Sequence, residues 1–169
     1  MTASHRKIAA AAAVACLAAV PAAAPAQQPA PPRPAPKPSV YADYHPSLSD
    51  MMTMAVQPRH TKLGLAIRAR NWVYAAYEVG ELRGAFTRIT RSIPTYEGKD
   101  SADLMTMIAK PIDTLQAAIK ARDPGTADRA YGEVTNTCNM CHEAQERTYI
   151  VIRPPVAAMY SDQDFTAKR

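Results

Sequence analysis

Apolar positions recur at three- and four-residue steps in four segments of the chain, which is the pattern of amphipathic helices. The segments span residues 46–68, 71–90, 101–121 and 126–150. At about 100° per residue, one face of the first helix holds an apolar stripe with two embedded polar residues. This face comprises Met52, Val56, Arg59, His60, Leu63 and Ile67. Met54 lies about 200° away from Met52 and is expected to face elsewhere.

Proline and glycine residues indicate where these helical segments are irregular, pack closely or end. Pro58 falls inside the first helix, so we expect a kink or an early break there. Pro111 falls inside the third helix, where we expect a kink near residues 107–110. Gly64 would let a second helix approach closely. Short connections between four helices, with no strand-like alternation of useful length, predict an all-α antiparallel four-helix bundle. Pro154 and Pro155 are expected to end the last helix, and residues 156–169 to form an extended tail.

The N-terminal residues predict export. Residues 1–26 have the order of a secretory signal peptide, with a basic start, an apolar stretch and Ala24-Pro25-Ala26 as a cleavage site. The apolar stretch, residues 8–20, is short for a membrane span. A retained membrane anchor and a lipid anchor on Cys16 are the alternatives. Residues 27–40 are rich in proline and predict a linker, so the folded domain should span residues 41–169.

Composition and charge narrow the class of protein. The 169 residues are 47% hydrophobic but only 7% aromatic, which suits a helical protein. Cleavage after Ala26 removes Arg6 and Lys7, so the formal charge falls from +5 to +3. No run of Lys or Arg is present, so no nucleic-acid partner is expected. No sequence motif of a hydrolase, metalloprotease or phosphate-binding enzyme is present, so the sequence predicts a protein that is not an enzyme.

The chemistry is concentrated in Cys138-Asn139-Met140-Cys141-His142, which has the C-x-x-C-H spacing of covalent haem attachment. Two thiols on one side of a helical turn can each bond a vinyl group of one porphyrin. The following His142 can then coordinate the iron through an imidazole nitrogen. We therefore predict one covalent haem c with its iron. The alternative is a redox-active C-x-x-C pair that precedes a histidine by chance.

The position of the motif carries a resemblance to a family. Only 27 residues follow His142, and a haem motif on the last helix of a four-helix bundle resembles the class II c-type cytochromes, the cytochrome c′ and cytochrome c-556 group. The chain also looks similar to exported proteobacterial cytochromes that contain stretches like Gln57-Pro58-Arg59-His60-Thr61-Lys62-Leu63 and Asn71-Trp72. The resemblance implies thioether bonds at Cys138 and Cys141 and a proximal iron ligand at His142. It also makes a homodimer plausible.

Members of this family differ on the other side of the haem. A methionine from the first helix makes an electron carrier, whereas an apolar side chain leaves an open site for nitric oxide or carbon monoxide. Here Met52 is the candidate sixth ligand, with a core-filling role as the alternative, and His60 is a less favoured ligand. Arg59 is a candidate partner for a haem propionate. Arg147 and Arg153 are alternatives because they lie close to the motif in sequence, and a solvated surface position is the other interpretation for each.

Together these patterns predict a periplasmic mono-haem cytochrome that transfers single electrons to and from redox partner proteins. The mature protein would have no membrane span. The competing interpretation is a five-coordinate protein, similar to cytochrome c′, that binds or senses gases.

Overall fold

The computed structural model describes residues 44–157 and 160–166, and this part of the chain is mostly helical. The predicted signal peptide, residues 1–26, and the predicted linker, residues 27–40, lie outside the described residues. Among the helices that are described, none is both long enough and apolar enough to cross a bilayer.

The first helical segment contains three consecutive parts. Helix α1 spans Leu48–Met51, a π-helical turn spans Met52–Val56, and helix α2 spans Gln57–Arg68. Pro58 explains the turn, because proline has no N–H to donate and its ring clashes with the carbonyl four residues earlier. The Gln57 N–H bonds to the Met52 carbonyl, five residues back, and this wider turn relieves the conflict. The irregularity that Pro58 predicted is therefore a π turn inside a continuous helix.

Three longer helices follow. Helix α3 spans Trp72–Ser92, α4 spans Ser101–Ala121 and α5 spans Pro124–Ala144. Between α3 and α4, two-residue strands β1 (Thr95–Tyr96) and β2 (Lys99–Asp100) pair antiparallel. The bounds of α4 match the prediction, and the helix runs through its internal proline.

Each of the long helices begins at a side chain that accepts a hydrogen bond from its first turn. Asn71 accepts from the Tyr74 N–H at 3.2 Å. Asp100 accepts from Ala102 at 2.7 Å, and Asp123 accepts from Thr126 at 3.1 Å.

The predicted end of the last helix is wrong. Helix α5 stops at Ala144, six residues before position 150. The Glu146 N–H bonds to the Glu143 carbonyl at 3.0 Å, and the Arg147 N–H bonds to the His142 carbonyl at 2.7 Å. These two bonds, with Glu146 in the left-handed conformation (φ 57°), form a Schellman motif. A glycine usually occupies this left-handed position, so a glutamate at position 146 did not indicate a helix end.

The helices pack around one core. Helix α2 contacts α3 and α5, and α4 contacts α3 and α5. Fully buried apolar side chains come from all four: Leu63, Ile67, Val79, Leu82, Ile89, Ile112, Leu115 and Val134. The close approach that Gly64 predicted is confirmed. A Cβ atom at position 64 would lie 2.5 Å from the Tyr131 hydroxyl on α5, so only glycine fits there without a shift.

The described part of the C-terminal tail packs on α2 and α3. Arg68 donates to the Val156 carbonyl at 2.7 Å. Asn71 Nδ2 donates to the Phe165 carbonyl at 3.3 Å, and the Gln163 amide donates to the Tyr74 hydroxyl at 2.6 Å. Phe165 is 8% exposed, so burial as well as hydrogen bonding holds this segment in place.

Candidate functional site

A cleft of about 290 Å³ lies between the first helical segment, α4 and the end of α5. This volume is at the lower end of the range, ~300–1,000 Å³, that is usual for cofactor sites. Its wall is mainly apolar. The apolar members include Leu48, Met52, Val56, Phe86, Leu104, Met105, Ile108, Ile150 and Ile152. Cys138, Cys141, His142 and His60 line the same cleft.

The two motif cysteines are free thiols in the last two turns of α5. Burial raises the pKa of Cys138 to about 11, with a smaller contribution from Cys141. Burial also raises the pKa of Cys141. Redox-active C-x-x-C pairs have lowered thiol pKa values and lie at helix N-termini. The position at the helix C-terminus therefore argues against a thioredoxin-like pair.

His142 presents one ring nitrogen for coordination. Its Nδ1 atom lies 2.8 Å from the Ile150 carbonyl oxygen. A carbonyl can only accept, so Nδ1 carries the proton and Nε2 has a free lone pair. Among the described residues, Nε2 has no hydrogen-bond partner. A histidine that binds a metal normally donates its other N–H to a carbonyl or carboxylate in this way.

Met52 lines the cleft and is partly buried against the core. The π turn begins at this residue, and such turns are frequent at functional sites. The extra residue in the turn rotates α2 relative to the regular helix assumed in the sequence analysis. Met52 nevertheless reaches the cleft that contains the cysteines and His142, while Met54 is 62% exposed.

His60 is buried in a hydrogen-bond network between α2 and α5. Its Nε2 lies 2.9 Å from the Thr135 hydroxyl, and its Nδ1 lies 3.2 Å from the Tyr131 hydroxyl. The Thr135 hydroxyl donates to the Tyr131 carbonyl, so Nε2–H donates to Thr135. The single proton of the Tyr131 hydroxyl is donated to the His60 backbone carbonyl at 2.9 Å, so Nδ1 faces this hydroxyl without receiving its proton. Burial lowers the pKa of His60 to about 4. Nε2 is therefore engaged, and coordination of a metal through it would break the bond to Thr135, while Nδ1 faces the buried Tyr131 hydroxyl.

Arg59 does not line the cleft. Its guanidinium lies 3.4 Å from Glu78, whose side chain is 1% exposed, and 3.6 Å from Glu81. These carboxylates supply the partners that its position on the core-facing side requires. The structure therefore lends no support to contact between Arg59 and a propionate.

Arg147 is the arginine at the cleft, where its guanidinium donates to Glu97 at 2.8 Å and to the Tyr96 hydroxyl at 3.4 Å. Its closeness to the motif in sequence pointed to it as an alternative to Arg59.

Other cleft residues were not identified from the sequence. Met105 and Met107 on α4 line the cleft, as does Gln145. The Gln145 Oε1 atom is buried and has no hydrogen-bond partner. The apolar stripe of α4 could have indicated Met107, but its meeting with α5 required the tertiary structure. The helical spacing places Gln145 on the same face as Cys138 and Cys141, which could have indicated it, although the helix ends at Ala144.

The residues of this cleft fit a c-type haem. The free thiols, the unpartnered Nε2 of His142 and the apolar wall match its vinyl groups, iron and ring. Across the described residues, no group of three or more His, Cys, Asp or Glu side chains could hold a bare metal ion. A haem iron does not need such a group, because porphyrin nitrogens supply four of its ligands.

Comparisons with protein-family models, with curated proteins and with solved structures found no match for this chain.

Proposed function

We propose that this chain is a mono-haem c-type cytochrome that transfers single electrons, built on a four-helix bundle similar to class II cytochromes. Cys138 and Cys141 would hold the haem through thioether bonds, and His142 would be the proximal iron ligand. The observation that carries the proposal is the cleft itself. There, two free thiols and an unpartnered imidazole nitrogen share an apolar wall with Met52.

The proposed cofactor supplies a one-electron ferric–ferrous couple when it is bound. The protein's own groups bind and orient it and exclude water. His142 contributes its Nε2 lone pair, with Nδ1–H held by the Ile150 carbonyl. The apolar side chains Leu48, Val56 and Phe86 lower the local dielectric, which tunes the potential. A carrier of this kind needs no further catalytic group, so we propose that the protein is not an enzyme.

Met52 is the proposed sixth ligand. A thioether ligand raises the reduction potential and favours a carrier over a gas-binding protein. The start of the π turn at Met52, directly on the cleft wall, supports this choice. His60 is less suited, since its Nε2 already donates to Thr135 and its Nδ1 faces the buried Tyr131 hydroxyl.

A five-coordinate gas-binding protein is the second candidate. The observation in its favour is that Leu48 and Val56 flank Met52 on the same wall. Either aliphatic side chain could cover the distal face without binding the iron.

The proposed location is the periplasm, after removal of the signal peptide at residues 1–26, with periplasmic redox proteins as partners. A homodimer remains a proposal by resemblance to class II cytochromes.

Absorption spectra of the purified holoprotein test the proposal and separate the two candidates. The carrier should be low-spin in both oxidation states, with a weak near-infrared band from thioether ligation, and should bind carbon monoxide slowly. High-spin ferric spectra with prompt carbon monoxide binding would contradict the carrier and favour the gas-binding protein. A protein without haem would contradict both.

A further inference from the structure

One residue inside the C-x-x-C-H motif bonds to a backbone segment beyond the helix. The Asn139 side-chain oxygen accepts from the Ile152 N–H at 2.8 Å, and its Nδ2 donates to the Ile152 carbonyl at 3.0 Å. We call these two bonds the Asn139 tether. They satisfy both backbone groups of one residue, as a neighbouring strand would.

The tethered segment carries the acceptor for His142. The chain reverses after α5, and Ile150, two residues before Ile152, places its carbonyl 2.8 Å from His142 Nδ1. Residues 149–151 are largely exposed, with Tyr149 at 77%, Ile150 at 42% and Val151 at 59%, while Ile150 and Ile152 also line the cleft. A segment with few buried contacts opens readily, so hydrogen bonds contribute to its order beside the contacts at the cleft.

One further hydrogen bond of this segment joins two residues that are close in sequence. The Ile150 N–H bonds to the Arg147 carbonyl at 2.9 Å, which shapes the turn but does not attach it to α5. The Asn139 tether does attach it, since Asn139 lies one helical turn before His142. The tether thus closes a loop of residues 139–152, and within this loop the Ile150 carbonyl contacts His142.

We propose that Asn139 is a positioning residue for His142, acting through the segment that presents the Ile150 carbonyl. This inference rests on the proposed function. A held carbonyl makes the imidazole a more basic ligand, which favours the ferric state and lowers the potential. Loss of the tether loosens the carbonyl and raises the potential.

The chemistry of the tether requires an amide. Alanine removes both bonds, and leucine keeps the branched arrangement of four side-chain heavy atoms and has a high helix propensity but no polar group. The neighbouring Met140 is 54% exposed and has no part in the tether, so Met140→Ala is the matched control.

The experiment compares the holoproteins of wild type, Asn139→Ala, Asn139→Leu and Met140→Ala. Potentiometric titration should show the ferrous–ferric equilibrium constant of both Asn139 variants shifted towards ferrous by about tenfold, or ~59 mV for one electron. Hydrogen exchange at the Ile152 amide should be about tenfold faster in both variants. Met140→Ala should match the wild type in both measurements.

Distinct results overturn the inference and the proposed function. A wild-type protein without haem contradicts the proposed function, and the inference with it. Haem-bearing Asn139 variants with the wild-type potential overturn the inference alone, whatever the exchange at Ile152. An equal shift in Met140→Ala also overturns it. Failure of both Asn139 variants to fold would assign the residue a folding role instead, and would overturn the inference in that way.

Discussion

His60 should make the stability of the fold sensitive to acid. Burial lowers its pKa from 6.5 to about 4, so the folded protein holds a neutral imidazole where the unfolded chain would bind a proton. The contribution to stability is therefore complete above pH 6.5 and is lost as the pH falls towards 4. The pKa difference corresponds to about 3 kcal/mol in full, of which about 2 kcal/mol is lost by pH 5.

Urea unfolding at pH 8 and pH 5 measures this loss directly. The free energy of unfolding of the wild type should fall by about 2 kcal/mol between the two pH values, which lowers the urea midpoint by ~1 M. His60→Gln cannot take up a proton, so it should be less stable at pH 8 but should lose much less on acidification. The exposed His45 gives the control, and His45→Gln should retain the wild-type loss.

The account of His60 would be refuted by His60→Gln losing as much stability as the wild type between pH 8 and pH 5. The same variant tests ligation. The spin state of the holoprotein should not change, because His60 Nε2 donates to Thr135 and is not proposed to bind the iron. A change from low spin to high spin would assign His60 to the iron.

Two further predictions concern the distal wall and the packing of α2 on α5. Met52→Ala should convert a low-spin haem to high spin, whereas the exposed Met54→Ala should not; equal spectra for Met52→Ala and wild type would remove Met52 from the iron. Gly64→Ala should lower the free energy of unfolding by about 1–2 kcal/mol, because its Cβ would clash with Tyr131. Gly132→Ala, with no atom within 4 Å of its added Cβ, should raise it by up to ~1 kcal/mol in the same urea titration, and a stabilising Gly64→Ala would contradict the close approach.

Local patterns were sufficient to predict the positions of the long helices. Ser101–Ala121 matches the prediction at both ends, because an acidic first turn and the following turn at position 123 mark its limits. The π turn itself was not predicted, although an irregularity near Pro58 was. Pro58 indicates an irregularity, but whether the helix kinks, breaks or widens depends on what packs against it.

Features that depend on tertiary contacts were missed. The end of α5 at Ala144 requires Glu146 to adopt a left-handed conformation, which a glycine would have announced. The partners of Arg59 were also not foreseen, because Glu78 lies on a different helix and becomes its neighbour only when α2 and α3 pack. The packing of the tail through Phe165 was also missed, because its partners, such as Asn71, are distant in sequence.

The helical pattern predicted that Cys138, Cys141 and His142 lie on the last helix, and these three residues line one cleft with Met52. The haem that their spacing predicts stays a prediction. The hydrogen bond from His142 to Ile150 was not predictable, since it depends on the early end of α5.

The central claim is covalent haem attachment, and the intact mass of the mature protein from cells that assemble c-type cytochromes tests it most directly. The wild type should exceed the mass of its polypeptide by one haem, which should persist after acid–acetone extraction. The double variant Cys138→Ala and Cys141→Ala should have the mass of the polypeptide alone. A wild-type mass equal to that of the polypeptide would contradict the account.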